Sequence, residues 1–311
     1  MKITHIFHSG FLAELEKSIL LFDWYTGPLP DLSPDKTLFV FCSHSHGDHY
    51  SPKIWELQKK HADVIYILDE GIADAARHPE ARIVYVSPHK VYRIWPDRTV
   101  SVSPWDIDLR DSADTSARNK DSGNTSALKK DYADTSALNE KAGQKSGHTD
   151  SSPQEPVITI RTLISTDMGV AFYVETEGKR IYHAGDLNVW FWNDEPMEDN
   201  IASEKKCREE MRLLADAIRP ACAEERSGQA KEESRLLDAA FVPLDPRLEE
   251  HAPRCMAAFM EILGAGIVFP MHYWERETET RAYLTDERIS AYTPLICFDK
   301  VWEDSSHTDQ K

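Results

Sequence analysis

The chain has 311 residues, 41% hydrophobic, 29% charged and 10% aromatic, with a formal net charge of −17. This is a globular profile with material for a sizeable core, and it excludes collagen-like, coiled-coil and wholly disordered chains. A surface this acidic repels phosphate backbones, and no Lys/Arg run is clustered, so nucleic acid is not an expected partner. The longest apolar runs, Lys17–Trp24 and Thr37–Cys42, fall short of the ~20 residues of a membrane span. Met1–His5 lacks the apolar core of a signal peptide. Five cysteines (Cys42, Cys207, Cys222, Cys255, Cys297) are scattered without a CxxC pair, which fits reduced thiols and a cytoplasmic protein.

In chain order, Ile3–His8, Ser18–Trp24 and Leu38–Ser43 are β-branched or aromatic runs between turn signals, and are predicted strands. Pro52–His61 is a predicted helix with proline near its start. Val64–Leu68, Ile83–Val86, Val91–Trp95 and Thr99–Val102 are predicted strands. Asp111–Lys120, Asp121–Lys130 and Asp131–Glu140 then read DSADTSARNK, DSGNTSALKK and DYADTSALNE, a tandem repeat of period ten. Three copies are too few and too polar for a stacked β-solenoid, and they cannot bury enough surface to offset the entropy of ordering. The segment 106–153 is therefore predicted to be a disordered insertion within a single domain spanning 1–311. Beyond it, Val157–Ile164, Val170–Glu175 and Arg180–His183 are predicted strands, the last two joined by a turn at Glu177-Gly178-Lys179. Asp199–Ile218 is a predicted helix with Met211, Leu214 and Ile218 on one stripe. Leu237–Val242 (strand), Leu248–Leu263 (helix), Ile267–Phe269 (strand) and Thr293–Phe298 (closing strand) complete the chain. The pattern suggests an α+β fold, two packed sheets with helices outside.

The informative stretch is Phe39–His49, FVFCSHSHGDH. His44, His46, Asp48 and His49 fall within six residues where a strand runs into a turn at Gly47. Alternation puts His44 and His46 on one side, and the turn can swing Asp48 and His49 toward a second point. Imidazole and carboxylate suit zinc and similar divalent ions, and this spacing fits two ions better than one.

H-x-H-x-D-H at a strand end resembles the signature of the metallo-β-lactamase-fold hydrolases. Phe7–Phe11 followed by Leu20–Asp23 is similar to the opening hairpin of the lactonase-like branch, His183–Asp186 to the later Gly-Asp motif, and Phe269–His272 to the final histidine motif. The resemblance covers most of the chain outside the repeats and implies a four-layer αβ/βα sandwich with a two-metal site at one edge. It further implies that His44 and His46 hold a first metal, Asp48, His49 and His272 a second, and that Asp186 bridges them. A hydroxide between the metals would be the nucleophile. The implied cofactor is Zn2+, two per chain, with Mn2+ or Fe2+ as alternatives.

The sequence departs from that pattern once. A further first-metal histidine is missing from Leu163–Gly169. Asp167 stands near its place, and two readings remain: a substitute carboxylate ligand, or a turn residue before Gly169. Asp23 is a candidate to orient a ligand histidine from behind, or an ordinary turn residue. His8 is a candidate for the pocket mouth. His183 reads better as a packed, hydrogen-bonded histidine than as a ligand. Asn188, Trp190, Trp192 and Tyr273 are either pocket wall or core. Cys42 reads as a small buried hydrophobe.

The resemblance implies a metal-dependent hydrolase acting on a small ester, lactone or phosphoester, with Asp48 and Asp186 in the catalytic apparatus. The rivals are a non-catalytic metal- or ligand-binding sensor on the same fold and a phosphodiesterase or nuclease. Histidine rather than a carboxylate at position 46 weighs against a redox di-iron site. The missing export signal weighs against β-lactam hydrolysis. Oligomeric state and natural substrate are not legible.

Overall fold

The computed structural model describes residues 1–105, 154–225 and 235–304. The repeat insertion, 106–153, lies outside them. Among the described residues, fourteen strands form two mixed sheets of seven. In the first sheet β1 (Lys2–Phe7), β2 (Gly10–Glu14) and β3 (Ser18–Phe22) run antiparallel, and β4 (Thr37–Cys42), β5 (Val64–Asp69) and β6 (Ile83–Val86) continue parallel to β3. In the second, β7 (Lys90–Ile94), β8 (Val100–Pro104), β9 (Ile158–Ile164), β10 (Val170–Thr176) and β11 (Lys179–His183) are antiparallel, and β12 (Leu237–Pro243) and β13 (Ala265–Met271) lie parallel to β11.

Strand alternation builds the layers. Along β4, Leu38, Val40 and Cys42 join Ile54, Trp55 and Leu57 in a cluster on the outer face, under a 3-10 turn (Pro52–Glu56) and the single-turn helix α1 (Leu57–Lys60). The opposite face carries Phe11, Phe22 and Phe41, which meet Phe241 and Phe172 of the second sheet, with Phe11 and Phe241 stacked at 4.2 Å. The outer face of the second sheet is covered by α2 (Met197–Glu225) and α3 (Pro253–Ile262). As the stripe predicts, Met211, Leu214 and Ile218 of α2 are buried. The arrangement is helix, sheet, sheet, helix. Among the described residues no helix is long and apolar enough to cross a membrane.

Two predicted elements are corrected. Thr293–Phe298 is not a strand. Pro294 there lacks an amide donor, the backbone forms a 3-10 turn over Ser290–Leu295, and only an isolated bridge joins Ile296 to Val268. The closing strand is β14 (Val301–Glu303), antiparallel to β1. Leu248–Leu263 is not one helix: Glu249, at φ 52°, breaks the 3-10 stretch Pro246–His251 internally, and α3 begins at Pro253. A short helix, α4 (Glu277–Ala282), was not predicted.

The parallel strands matter most for the site. β3 and β4 of one sheet, and β11, β12 and β13 of the other, end at the same edge. The loops leaving their carboxyl ends carry Asp23, His44–His49, Asp186, Asp245–Arg247 and His272.

Candidate metal centre

Asp186 lies at the middle of the edge. One carboxylate oxygen, Oδ1, is 3.0 Å from His49 Nε2 and 3.4 Å from His272 Nε2, while Oδ2 is 3.3 Å from His44 Nε2. Among the described residues, His44 Nε2 and both His272 nitrogens are buried without a hydrogen-bond partner. Buried polar atoms are nearly always satisfied. A convergence of unsatisfied lone-pair donors is the arrangement a cation requires. Three ligand-type atoms lie within 4.8 Å of one another in each of four groups: His44, His46 and Asp48; His44, His49 and Asp186; His46, Asp167 and Asp186; His8, His49 and His272.

Two of the histidines, His49 and His44, are aimed from behind. Asp23 Oδ2 lies 2.7 Å from His49 Nδ1, and its carboxylate also accepts from Ser43 N at 2.8 Å and Ser43 Oγ at 2.7 Å. An ionised carboxylate only accepts, so His49 Nδ1 donates and Nε2 is turned toward Asp186. Burial resists the charge on Asp23, but His183 and His49 outweigh it and hold its pKa below the ordinary value. Ser43 Oγ is 3.1 Å from His44 Nδ1, leaving His44 Nε2 to face the centre. Burial lowers the pKa of His44 and, helped by His8 and His49, pushes that of His272 well down, so both rings are neutral donors. His49 is the exception. Burial opposes its charged form, yet Asp186 and Asp23 outweigh it and raise its pKa to about 10.

The β9–β10 turn is locked against the end of β4. Val170 N donates to Ser43 O at 3.0 Å, and Gly169, at φ 72°, passes so close that a Cβ would stand 2.0 Å from Ser43 O and 2.6 Å from His44 Cβ. Only glycine fits, and the close passage brings Asp167, two residues earlier, beside His46 and Asp186.

A cleft of about 460 Å³ opens over the centre, and Asp48, Asp167, Trp190 and Trp192 are among its lining residues. The two indoles are parallel, 6.1 Å apart, and Trp190 Nε1 donates to Asp186 O at 3.2 Å. Asn188 is buried beneath, its carbonyl accepting from Thr166 Oγ1 at 2.7 Å. His8 is buried, stacked on His272 at 4.6 Å, with Nε2 3.5 Å from Asp48 Oδ2. His8 holds the Asp48 carboxyl below the usual carboxylate range. His183 is stacked on Phe22, with Nε2 2.9 Å from Ser9 O and Nδ1 accepting from Gly185 N. Both its nitrogens are engaged away from the centre. Tyr273 is placed with His5, 3.0 Å from its hydroxyl, rather than on the cleft wall. Two residues that the sequence did not single out for the cleft stand here: Thr166 and Arg247 line it.

A second hollow, of about 520 Å³, lies at the amino ends of β11, β12 and β13, between Lys179, Leu237 and Gly266. It holds none of the candidate metal-ligating groups among the described residues.

No protein-family model matches the chain. It is similar to a curated protein of Opitutus terrae described as a UPF0173 metal-dependent hydrolase, 39% identical over 79 residues, which is 24% of this chain and 35% of that protein. The chain thus matches little more than a third of that relative's length. Among solved structures it is similar to Igni18, described as a novel metallo hydrolase from the archaeon Ignicoccus hospitalis, at 13% identity and a TM-score of 0.49, covering 97% of this chain and 98% of that one. It is also similar to YhfI, a metallo-β-lactamase fold protein from Bacillus subtilis, at 12% identity and a TM-score of 0.47, covering 97% and 98%. The described residues form two seven-stranded sheets with helices on both outer faces, an α+β sandwich whose histidine and aspartate motifs share one strand edge.

Proposed function

We propose that this protein is a metal-dependent hydrolase of small esters, lactones or phosphoesters. The observation that carries the reading is the Asp186 carboxylate, set between His44 on one oxygen and His49 and His272 on the other. One carboxylate facing two histidine sets is suited to two cations. His44, His46 and Asp167 would hold the first, Asp48, His49 and His272 the second, with Asp186 shared. Zn2+ suits this mixture of imidazole and carboxylate, and the additional Asp167 oxygen makes the first position receptive to Mn2+ or Fe2+.

Two such cations, when bound, would supply acidified water and a Lewis acid for a carbonyl or phosphoryl oxygen. The chain's own residues do the rest. Asp23 fixes the His49 ring through Nδ1, and Ser43 fixes His44. Asp48, half-buried and held ionised beside His8, faces the cleft with a proton-accepting oxygen. Trp190 and Trp192 form an apolar wall that confines a small substrate and excludes water.

The test is hydrolysis of a generic aryl ester and of bis(p-nitrophenyl) phosphate by zinc-loaded protein, beside Asp48→Ala. Cleavage by the wild type and its loss in a folded Asp48→Ala variant are expected. Equal activity of the two proteins would overturn the assignment.

A further inference from the structure

The cleft wall carries one guanidinium opposite its carboxylates. Among the described lining residues, Arg247 is the single Lys or Arg side chain, facing a cleft that also holds Asp48, Asp167 and Asp186. It is held by one residue. Asp245, wholly buried after β12, accepts from Arg247 backbone N at 2.9 Å, from Nε at 2.9 and 3.0 Å, and from Nη2 at 2.5 Å. Main chain and side chain both hang on that carboxylate, so the head group is in place before a ligand arrives. Its flanks are aromatic, with the Trp192 and Trp274 ring centroids 6.0 and 5.8 Å from Cζ.

A guanidinium has five N–H donors in a rigid fork. Asp245 occupies the Nε edge, and no hydrogen bond among the described residues uses Nη1. The Arg247 side chain is 44% exposed while Asp245 is 0% exposed. Neutralising Asp245 needs only the engaged edge. The other edge, fixed on the wall of the cleft, is a bidentate donor for a planar or tetrahedral anion.

We propose that Arg247 anchors an anionic group of the substrate, a carboxylate or phosphate set apart from the scissile bond, and so selects anionic esters, lactones or phosphoesters over neutral ones. This rests on the metal-hydrolase reading above, and narrows its substrate class.

Hydroxamic acids test it, because the hydroxamate binds active-site metal whatever its tail. Affinities of zinc-loaded full-length protein are measured for acetohydroxamic acid, succinic acid monohydroxamate and the corresponding phosphonate-tailed hydroxamate. The wild type is expected to bind at least one anionic-tailed compound roughly tenfold or more tighter than acetohydroxamate, the scale of a charge-assisted hydrogen-bond pair. Which tail gains more tells carboxylate from phosphate. Because Arg247→Met alone strands the buried Asp245, the Asp245→Asn/Arg247→Met double variant is compared with Arg247→Lys. The preference is expected to vanish in the double variant and to fall in Arg247→Lys, with acetohydroxamate affinity within about twofold of wild type. No tail preference in the wild type, or one that persists in the double variant, would overturn the anchor while leaving the metal centre intact. Failure of all three compounds to bind would instead overturn the metal-hydrolase reading beneath it.

Discussion

Asp23 and His49 form a buried pair, Oδ2 to Nδ1 at 2.7 Å, with side chains 0% and 1% exposed. Three donors converge on this carboxylate, two from Ser43 and one from His49. It lies behind the centre and sets the direction of a ring whose far nitrogen faces Asp186. Asp23→Asn keeps the shape but loses the charge, and is expected to weaken metal binding about 10- to 100-fold. Competition with a chromophoric chelator measures this. Affinity within twofold of wild type would mean that the pair serves packing alone.

The same geometry sets a pH dependence. The pKa of His49 is raised from 6.5 to about 10 in the metal-free fold. A group whose folded pKa is raised contributes stability that is full below the unfolded value and lost as pH rises through the folded one. Metal-free protein is therefore expected to lose stability from about pH 6.5 to about pH 10. Metal takes the place of the Nε2 proton, so the loss should be absent in zinc-loaded protein, and zinc uptake near pH 8 should release a proton. Melting curves at several pH values, with and without zinc, check the first point. Calorimetry in buffers of different ionisation enthalpy checks the second. A flat profile for the metal-free protein would contradict the assigned role of Asp186 and Asp23.

Gly169 couples the turn holding Asp167 to the strand end holding His44. Its φ of 72° and the 2.0 Å approach of a hypothetical Cβ to Ser43 O leave no room for a side chain. Gly169→Ala is expected to cost at least about 1–3 kcal/mol and to lower first-site metal affinity, because the turn must withdraw. Chemical denaturation and metal titration report the two effects. Gly178, also at positive φ but with nothing near its Cβ position, is the control: Gly178→Ala should strain the hairpin turn without changing metal affinity.

Four residues of the candidate centre stood out because they are dense in sequence, while Asp186 and His272 entered only through the family resemblance. His44, His46, Asp48 and His49 sit in one turn, and the expected convergence with Asp186 and His272 follows from parallel strands ending at a common edge. Arg247 was not legible. In sequence it is one arginine in a Leu-Asp-Pro-Arg turn, and its meaning comes from Asp245, Trp192 and Trp274, which only the folded chain assembles around it. The closing strand was misplaced for a similar reason. Thr293–Phe298 has strand-like composition, but strand identity depends on a pairing edge, and the edge offered by β1 is taken by Val301–Glu303.

We propose a two-cation centre in which Asp167 stands for an absent histidine. Metal content per chain, by elemental analysis of zinc-loaded wild type and Asp167→Ala after gel filtration, tests it most directly. About two equivalents are expected in the wild type and about one in the variant, with the fold intact. Two equivalents in both would show that Asp167 is a turn residue and no ligand, and one in both would contradict the two-cation centre itself.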